Sequence, residues 1–230
     1  MNKQRRNFSL AAAAFAGTLA IVAAPARAAD DAADAKRLVQ AAEKTVNDFA
    51  GNKDFPTFGP ALAKAKAVMI FPEILKAGFI LGGSGGSGVL LVRDDKTGEW
   101  VGPAFYTMGS ASLGFQAGAS AAEVVMIVNS QKALDSLYSN KVKLGGDASV
   151  AVGPKGVGTG ASLTADFIVY STNKGAYAGM AVDGSVIDVR DSLNKGYYGK
   201  AVSPVDIVVK RDATSADSAG LKAALKKSAK

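Results

Sequence analysis

Histidine and cysteine are absent from all 230 residues, so Ser-His-Asp triads, Cys-His pairs and Cys/His zinc sites lack their essential side chains. The carboxylates that remain are scattered. Asp94-Asp95, Asp183, Asp188, Asp191 and Asp206 follow no calcium-loop pattern, which would need alternating oxygen ligands, a central glycine and a terminal glutamate. No Ser-x-x-Lys pair stands in a recognisable catalytic setting. Neither a metal nor a cofactor is expected, and an enzyme is the class these residues favour least.

Binding chemistry has more to work with. The run Gly82-Gly83-Ser84-Gly85-Gly86-Ser87-Gly88 could cradle a phosphate through backbone N–H groups, as glycine-rich loops do where they open a helix. Here Val89-Leu90-Leu91-Val92 follows, a strand-like run, and no Lys-Ser/Thr stands at P-loop spacing. The expectation is therefore a tight hairpin or bulge where glycine permits positive φ or close backbone approach, with a headgroup-holding turn as the alternative. Trp100 and Pro103 read as a core anchor. Tyr197 and Tyr198, with Lys195 and Lys200, have the amphipathic rings and long stems that suit a headgroup layer; a half-buried turn is the plainer reading. Lys222, Lys226 and Lys230 recur every four residues, with Lys227 adjacent, and on a helix the first three share one side. Leu221 and Leu225 beside them form only a narrow apolar stripe. Any attraction of that helix to an anionic surface is then electrostatic, on the order of 1 kcal/mol per lysine. A solvated basic tail is the other reading.

Positioning these residues requires the following elements. Leu38, Val39, Ala42, Val46 and Phe49 recur at three- and four-residue spacings, which predicts an amphipathic helix over 31–49. A short helix opened by Pro60 follows, and then the period changes: Ala67 to Phe71 is a compact apolar run ended by Pro72, a buried strand. Strand-like stretches lie at 76–81, 88–93, 105–116, 123–128, 148–152, 160–171, 176–182 and 186–189, separated by turn signals. Ser130 can cap a helix over 131–138, 191–198 reads as a short helical turn, and Thr214 to Asp217 is a capping-box-like start to a basic C-terminal helix. Strands joined by short turns imply antiparallel pairing. The fold class is α+β, with a curled or barrel-like, mainly antiparallel sheet covered by N-terminal and C-terminal helices.

The first 28 residues read as a signal peptide. Lys3, Arg5 and Arg6 form the basic region, residues 10 to 24 the apolar one, and Ala26-Arg27-Ala28 the cleavage site, so the mature chain should begin at Ala29 as a single domain over 29–230. Arg5-Arg6-Asn7-Phe8-Ser9-Leu10 resembles a twin-arginine signal; the general secretory route stays open. The formal charge of +7 falls to near +3 without the leader's four basic residues, and the last ten residues alone carry four lysines. That local basicity, without a broad basic face and interleaved aromatics, does not favour nucleic acid as a partner.

The middle of the chain resembles the SYLF domain family, found in bacteria and, in eukaryotes, beside SH3 or FYVE modules in proteins of phosphoinositide membranes and cortical actin. The resemblance spans roughly residues 32 to 210. Its marks are Ala65-Lys-Ala-Val-Met-Ile-Phe-Pro72, Lys76-Ala-Gly-Phe79 leading into the glycine run, and Trp100-Val-Gly-Pro103. Gly114-Phe-Gln-Ala-Gly118, Tyr170 to Gly175, Tyr177-Ala-Gly179, Gly184 and Asn194-Lys-Gly-Tyr-Tyr-Gly199 complete them. It implies a lipid-binding module, with no enzyme activity, whose N-terminal amphipathic helix contributes membrane contact. On this chain that helix offers Lys36, Arg37 and Lys44, balanced by Glu43, Asp30, Asp31, Asp34 and Asp48. The expected function is an exported phospholipid-binding protein of the cell envelope, placed in the periplasm, with secretion beyond it as the alternative location. Two alternatives are an actin-binding or host-directed module, for which a periplasm offers no actin, and a structural envelope protein without ligand. Oligomeric state is left open.

Overall fold

The computed structural model describes residues 23–78, 81–113, 118–138, 141–153, 165–174 and 184–230. In chain order the helices are α1 (Ala23–Gly51), α2 (Phe58–Lys64), α3 (Gln131–Tyr138), α4 (Asp191–Tyr198), α5 (Pro204–Val208) and α6 (Ala219–Ser228). The strands are β1 (Ala67–Gly78), β2 (Leu81–Arg93), β3 (Trp100–Leu113), β4 (Gly118–Val128), β5 (Lys141–Lys143), β6 (Val150–Val152), β7 (Phe167–Lys174) and β8 (Val186–Val189). They form one sheet in the order β5-β8-β3-β2-β1-β4-β7-β6. All pairs are antiparallel except β6 with β7.

The chain itself forces the sheet to curl. Its two edge strands, β5 and β6, are consecutive, and the link between them folds back through a Leu144–Ala148 bridge. Eight flat strands would set the edges roughly 34 Å apart at about 4.8 Å per strand. The residues from Lys143 to Val150 reach at most about 25 Å when fully extended. The result is the expected α+β architecture, a half-barrel with helices at both ends.

Both faces of the sheet are buried along Ala67–Phe71, which is why this part of β1 reads as an unbroken apolar run rather than an alternating one. Ala67, Met69 and Phe71 point into the curl, where Met126, Val128, Phe167 and Ile187 meet α3 and α5. Val68 and Ile70 point outward, beneath α1, α2, α4 and α6. Helix α1 docks there through Ala35, Val39, Ala42, Val46 and Phe49, all buried, with Leu38 at the margin. A fully buried valine or phenylalanine is worth about 1.5–3 kcal/mol, so this face anchors the helix. Tyr170 closes the end of that layer: its ring meets Phe55 and Phe58 edge-on at 5.7 and 5.4 Å, and its hydroxyl lies 3.1 Å from the Thr57 hydroxyl.

Several expectations need correction. The glycine run is not a turn: residues 82–88 lie inside β2, paired to β3 throughout. Opposite them β1 bulges, its register to β2 shifting between Ile70 and Leu75, with Pro72, which has no N–H to donate, at the irregularity. A Cβ on Gly86 would stand 2.1 Å from the Glu73 carbonyl oxygen, and one on Gly88 2.5 Å from the Phe71 ring. Close backbone approach, not positive φ, is what these two glycines supply. Helix α5 was not anticipated, although Ser203-Pro204 and Asp206 form a full capping box around it. The predicted strand at 176–182 and the start of that at 160–171 lie outside the described residues; β7 begins at Phe167. The helices at 131–138 and 191–198 have the expected bounds.

Candidate functional site

The cations singled out by sequence fall mostly on one layer, the helices α1, α4 and α6, which pack against one another outside the sheet. Asn194-Lys-Gly-Tyr-Tyr-Gly199 is the clamp that holds this layer. Asn194 is buried; its side-chain oxygen accepts from Phe105 N–H at 2.9 Å, tying α4 to β3. Gly196 lets α1 cross closely, since a Cβ there would lie 2.8 Å from Ala32 N.

The tyrosine pair belongs to that clamp. Tyr197 is 8% exposed, its ring 5.0 Å from Phe105. Burial pushes its phenol up, opposed by the nearby Ser215 and Ser218 hydroxyls, although among the described residues no hydrogen bond of good geometry reaches it. Tyr198 is half-buried and donates to the Pro103 carbonyl at 2.8 Å; burial raises its pKa as well. The structure thus places both rings inward, while Lys195 on α4 and Lys200 just beyond its end are exposed.

The basic residues divide by what they already hold. Lys36 reaches Asp217 at 3.0 Å and thereby links α1 to the start of α6. Arg37 pairs with Asp34 and Lys44 with Asp48 along α1 itself; the Asp48 carboxylate beside it holds the Lys44 ammonium above its usual range. Lys226 pairs with Glu99 at 2.8 Å, and Lys200 donates to the Asp212 carbonyl at 2.9 Å. Lys195, Lys222, Lys227 and Lys230 make no ion pair among the described residues. Lys222 is half-buried, and the loss of water lowers its pKa.

Helix α6 turns its apolar side to the fold. Leu221 and Leu225 are fully buried with Ala224 in the outer core, so the apolar stripe is spent on the fold. The helix ends at Ser228, so Lys230 falls outside the helical row of Lys222 and Lys226, and its backbone lies close to Gly59 of α2.

A groove of about 350 Å³ opens beside this layer, where α1 and the start of α4 meet the bulge of β1 and the glycine run of β2. Arg37, Arg190 and Ser87 line it with Leu38, Leu75 and Leu193. Sequence reasoning missed Arg190, which stands alone between β8 and α4; a lone arginine at a strand-to-helix junction was the available signal. Under α1, the buried Glu123 carboxylate accepts from Thr172 at 2.9 Å and lies 3.5 Å from the Thr45 hydroxyl. Among the described residues no group of metal-binding side chains gathers, and no helix is long and apolar enough to cross a membrane.

Comparison with known proteins decides the family. Residues 109–228, more than half the chain, match the family model Ysc84, described as "Las17-binding protein actin regulator". This chain belongs to the Ysc84 family. That is the assignment the SYLF motifs pointed to. Protein YSC84 of Saccharomyces cerevisiae is 35% identical over 158 residues, 66% of this chain and 33% of that protein. LAS seventeen-binding protein 3 of the same yeast is 37% identical over 145 residues, 60% of this chain and 31% of that protein. SH3 domain-containing YSC84-like protein 1 of Bos taurus is 30% identical over 152 residues, 64% and 44% of the two chains. The matched region therefore spans less than half the length of these relatives. No solved structure matches.

Proposed function

We propose that this Ysc84-family chain is a non-enzymatic phospholipid-binding protein, exported to act in the cell envelope. The observation that carries the reading is the set of cations on the outer helical layer, Lys195, Lys222, Lys227 and Lys230, that have no acid partner among the described residues. An exposed ammonium without a counter-ion gains from an anionic surface what a paired one has already spent. Export is supported by the leader pattern and by the placement of α1's core residues: Ala35 to Phe49 all lie beyond Ala28, so cleavage there keeps the helix's docking face. The test is co-sedimentation with vesicles of phosphatidylglycerol and, separately, phosphatidylcholine. Salt-sensitive binding to the first is expected; failure to bind either composition would overturn the reading.

A second reading has its own observation. The family description names Las17 binding and actin regulation, and two yeast relatives carry the names YSC84 and LAS seventeen-binding protein. A module that binds actin or its regulators would pellet with actin filaments in the absence of lipid, which separates it from the first.

A further inference from the structure

We infer that the groove between α1, α4 and the glycine run of β2 holds the phosphodiester of a glycerophospholipid, with Arg190 as its principal donor and Leu75 against the apolar part. The inference rests on the phospholipid reading above and adds the place and the chemistry.

Arg190 is built into the fold: its backbone N–H donates to the Phe105 carbonyl at 2.9 Å, and its guanidinium donates to the Ser87 hydroxyl. That is one N–H of five. It is half-buried and makes no ion pair among the described residues. A guanidinium partly removed from water, with most of its donors unspent, favours a planar oxyanion that can accept two parallel bonds. Arg37 lines the same groove but is already engaged by Asp34. Glu73 also faces it and has no cation partner among the described residues. Two guanidiniums against two carboxylates leave no excess positive charge, which suits a singly charged phosphodiester better than a doubly charged phosphate.

The apolar side of the groove points the same way. Leu75 is 56% exposed there, beside Leu38 and Leu193. Beyond it the described parts of the four central strands run on with almost no charge: residues 74–78 and 81–92 contain only Lys76, and residues 100–113 and 118–122 contain none, in a chain that is 20% charged overall. The Thr107 hydroxyl on the face of Leu75 donates to the Gly86 carbonyl at 3.1 Å. An acyl chain lying along that face would strip water from no ion, because Lys76 is turned to the opposite face.

The experiment titrates dihexanoyl phosphatidylglycerol, below its micelle concentration, into the full chain, with inorganic phosphate in parallel and vesicle pelleting of the same preparations. Binding of the short-chain lipid is expected to weaken at least tenfold in Arg190→Gln and several-fold in Arg190→Lys, which keeps the charge but loses the fork. Leu75→Ser should weaken lipid binding and leave phosphate binding unchanged; Leu75 is exposed, so this variant keeps the fold. Unchanged lipid binding in both Arg190→Gln and Leu75→Ser, with wild-type protein still pelleting on vesicles, would overturn the groove and leave the phospholipid reading standing. Inorganic phosphate binding as tightly as the lipid would overturn the phosphodiester assignment. Wild-type protein that neither pellets nor binds the short-chain lipid would overturn both.

Discussion

Replacing Gly86 by alanine should unfold this protein far more readily than the same change three residues earlier. At Gly86 the added Cβ would sit 2.1 Å from the Glu73 carbonyl oxygen and 2.8 Å from the Ile74 Cδ1 atom, where carbon needs about 3.5 Å. The obstruction is backbone, so relief requires β1 to move outward by more than about 1 Å at its bulge. That would strain the Leu75–Gly85 pairing on one side and Ile70–Val89 on the other. Overpacking of this kind costs about 1–3 kcal/mol, and a backbone obstruction belongs at the upper end. At Gly83 the nearest atom to a new Cβ is the Ser110 carbonyl oxygen at 3.4 Å, an ordinary contact, and the position is exposed. Alanine there removes chain freedom from the unfolded state and stabilises by about 0.5 kcal/mol. The two variants should therefore differ by about 3 kcal/mol, which for a chain of this length is roughly 6–12 °C in Tm. Thermal unfolding followed by circular dichroism, with urea titration as a check, reads this directly. Variants melting within about 2 °C of each other would show that the bulge adapts freely and that the glycine run is not there for close approach.

Other expectations follow from individual contacts. Tyr198→Phe leaves the Pro103 carbonyl without its donor and should lower stability by about 1 kcal/mol, measured by urea unfolding, without changing vesicle binding. Asp166 accepts from Ser130, from Ser149 N–H at 2.9 Å and from the Ser149 hydroxyl at 2.8 Å, and these bonds hold its carboxyl below the ordinary range. A depressed folded pKa stabilises above the unfolded value of about 3.9 and is lost as pH falls through the lower folded one. Asp166→Asn should therefore melt lower than wild type at pH 7, with the gap closing in acid. Changing Lys222, Lys226, Lys227 and Lys230 together to glutamine should weaken binding to phosphatidylglycerol vesicles and flatten its salt dependence while the melting temperature holds, because only Lys226 has an ion pair among the described residues, and that pair is exposed. Intact mass of the exported form should show a start at Ala29.

By itself, the sequence determined whatever depends on local pattern. The helices at 131–138 and 191–198, the buried run at 67–71 and the docking face of α1 could be read because capping residues and apolar spacing act over a turn or two of chain. The α+β class followed from the order of those elements, and the family from motifs in a fixed order. Tertiary structure alone decided three things. It made the glycine run a strand opposite a bulge, because the atoms that forbid a Cβ at Gly86 belong to Glu73 and Ile74, brought there only by pairing. It spent Leu221, Leu225 and Tyr197 on the outer core, since whether an apolar residue faces solvent or a neighbouring helix depends on how α1, α4 and α6 pack. It brought Arg190 beside Ser87, more than a hundred residues away in the chain; no spacing rule reaches across that distance, because the contact exists only once the sheet has curled and α4 has docked upon it.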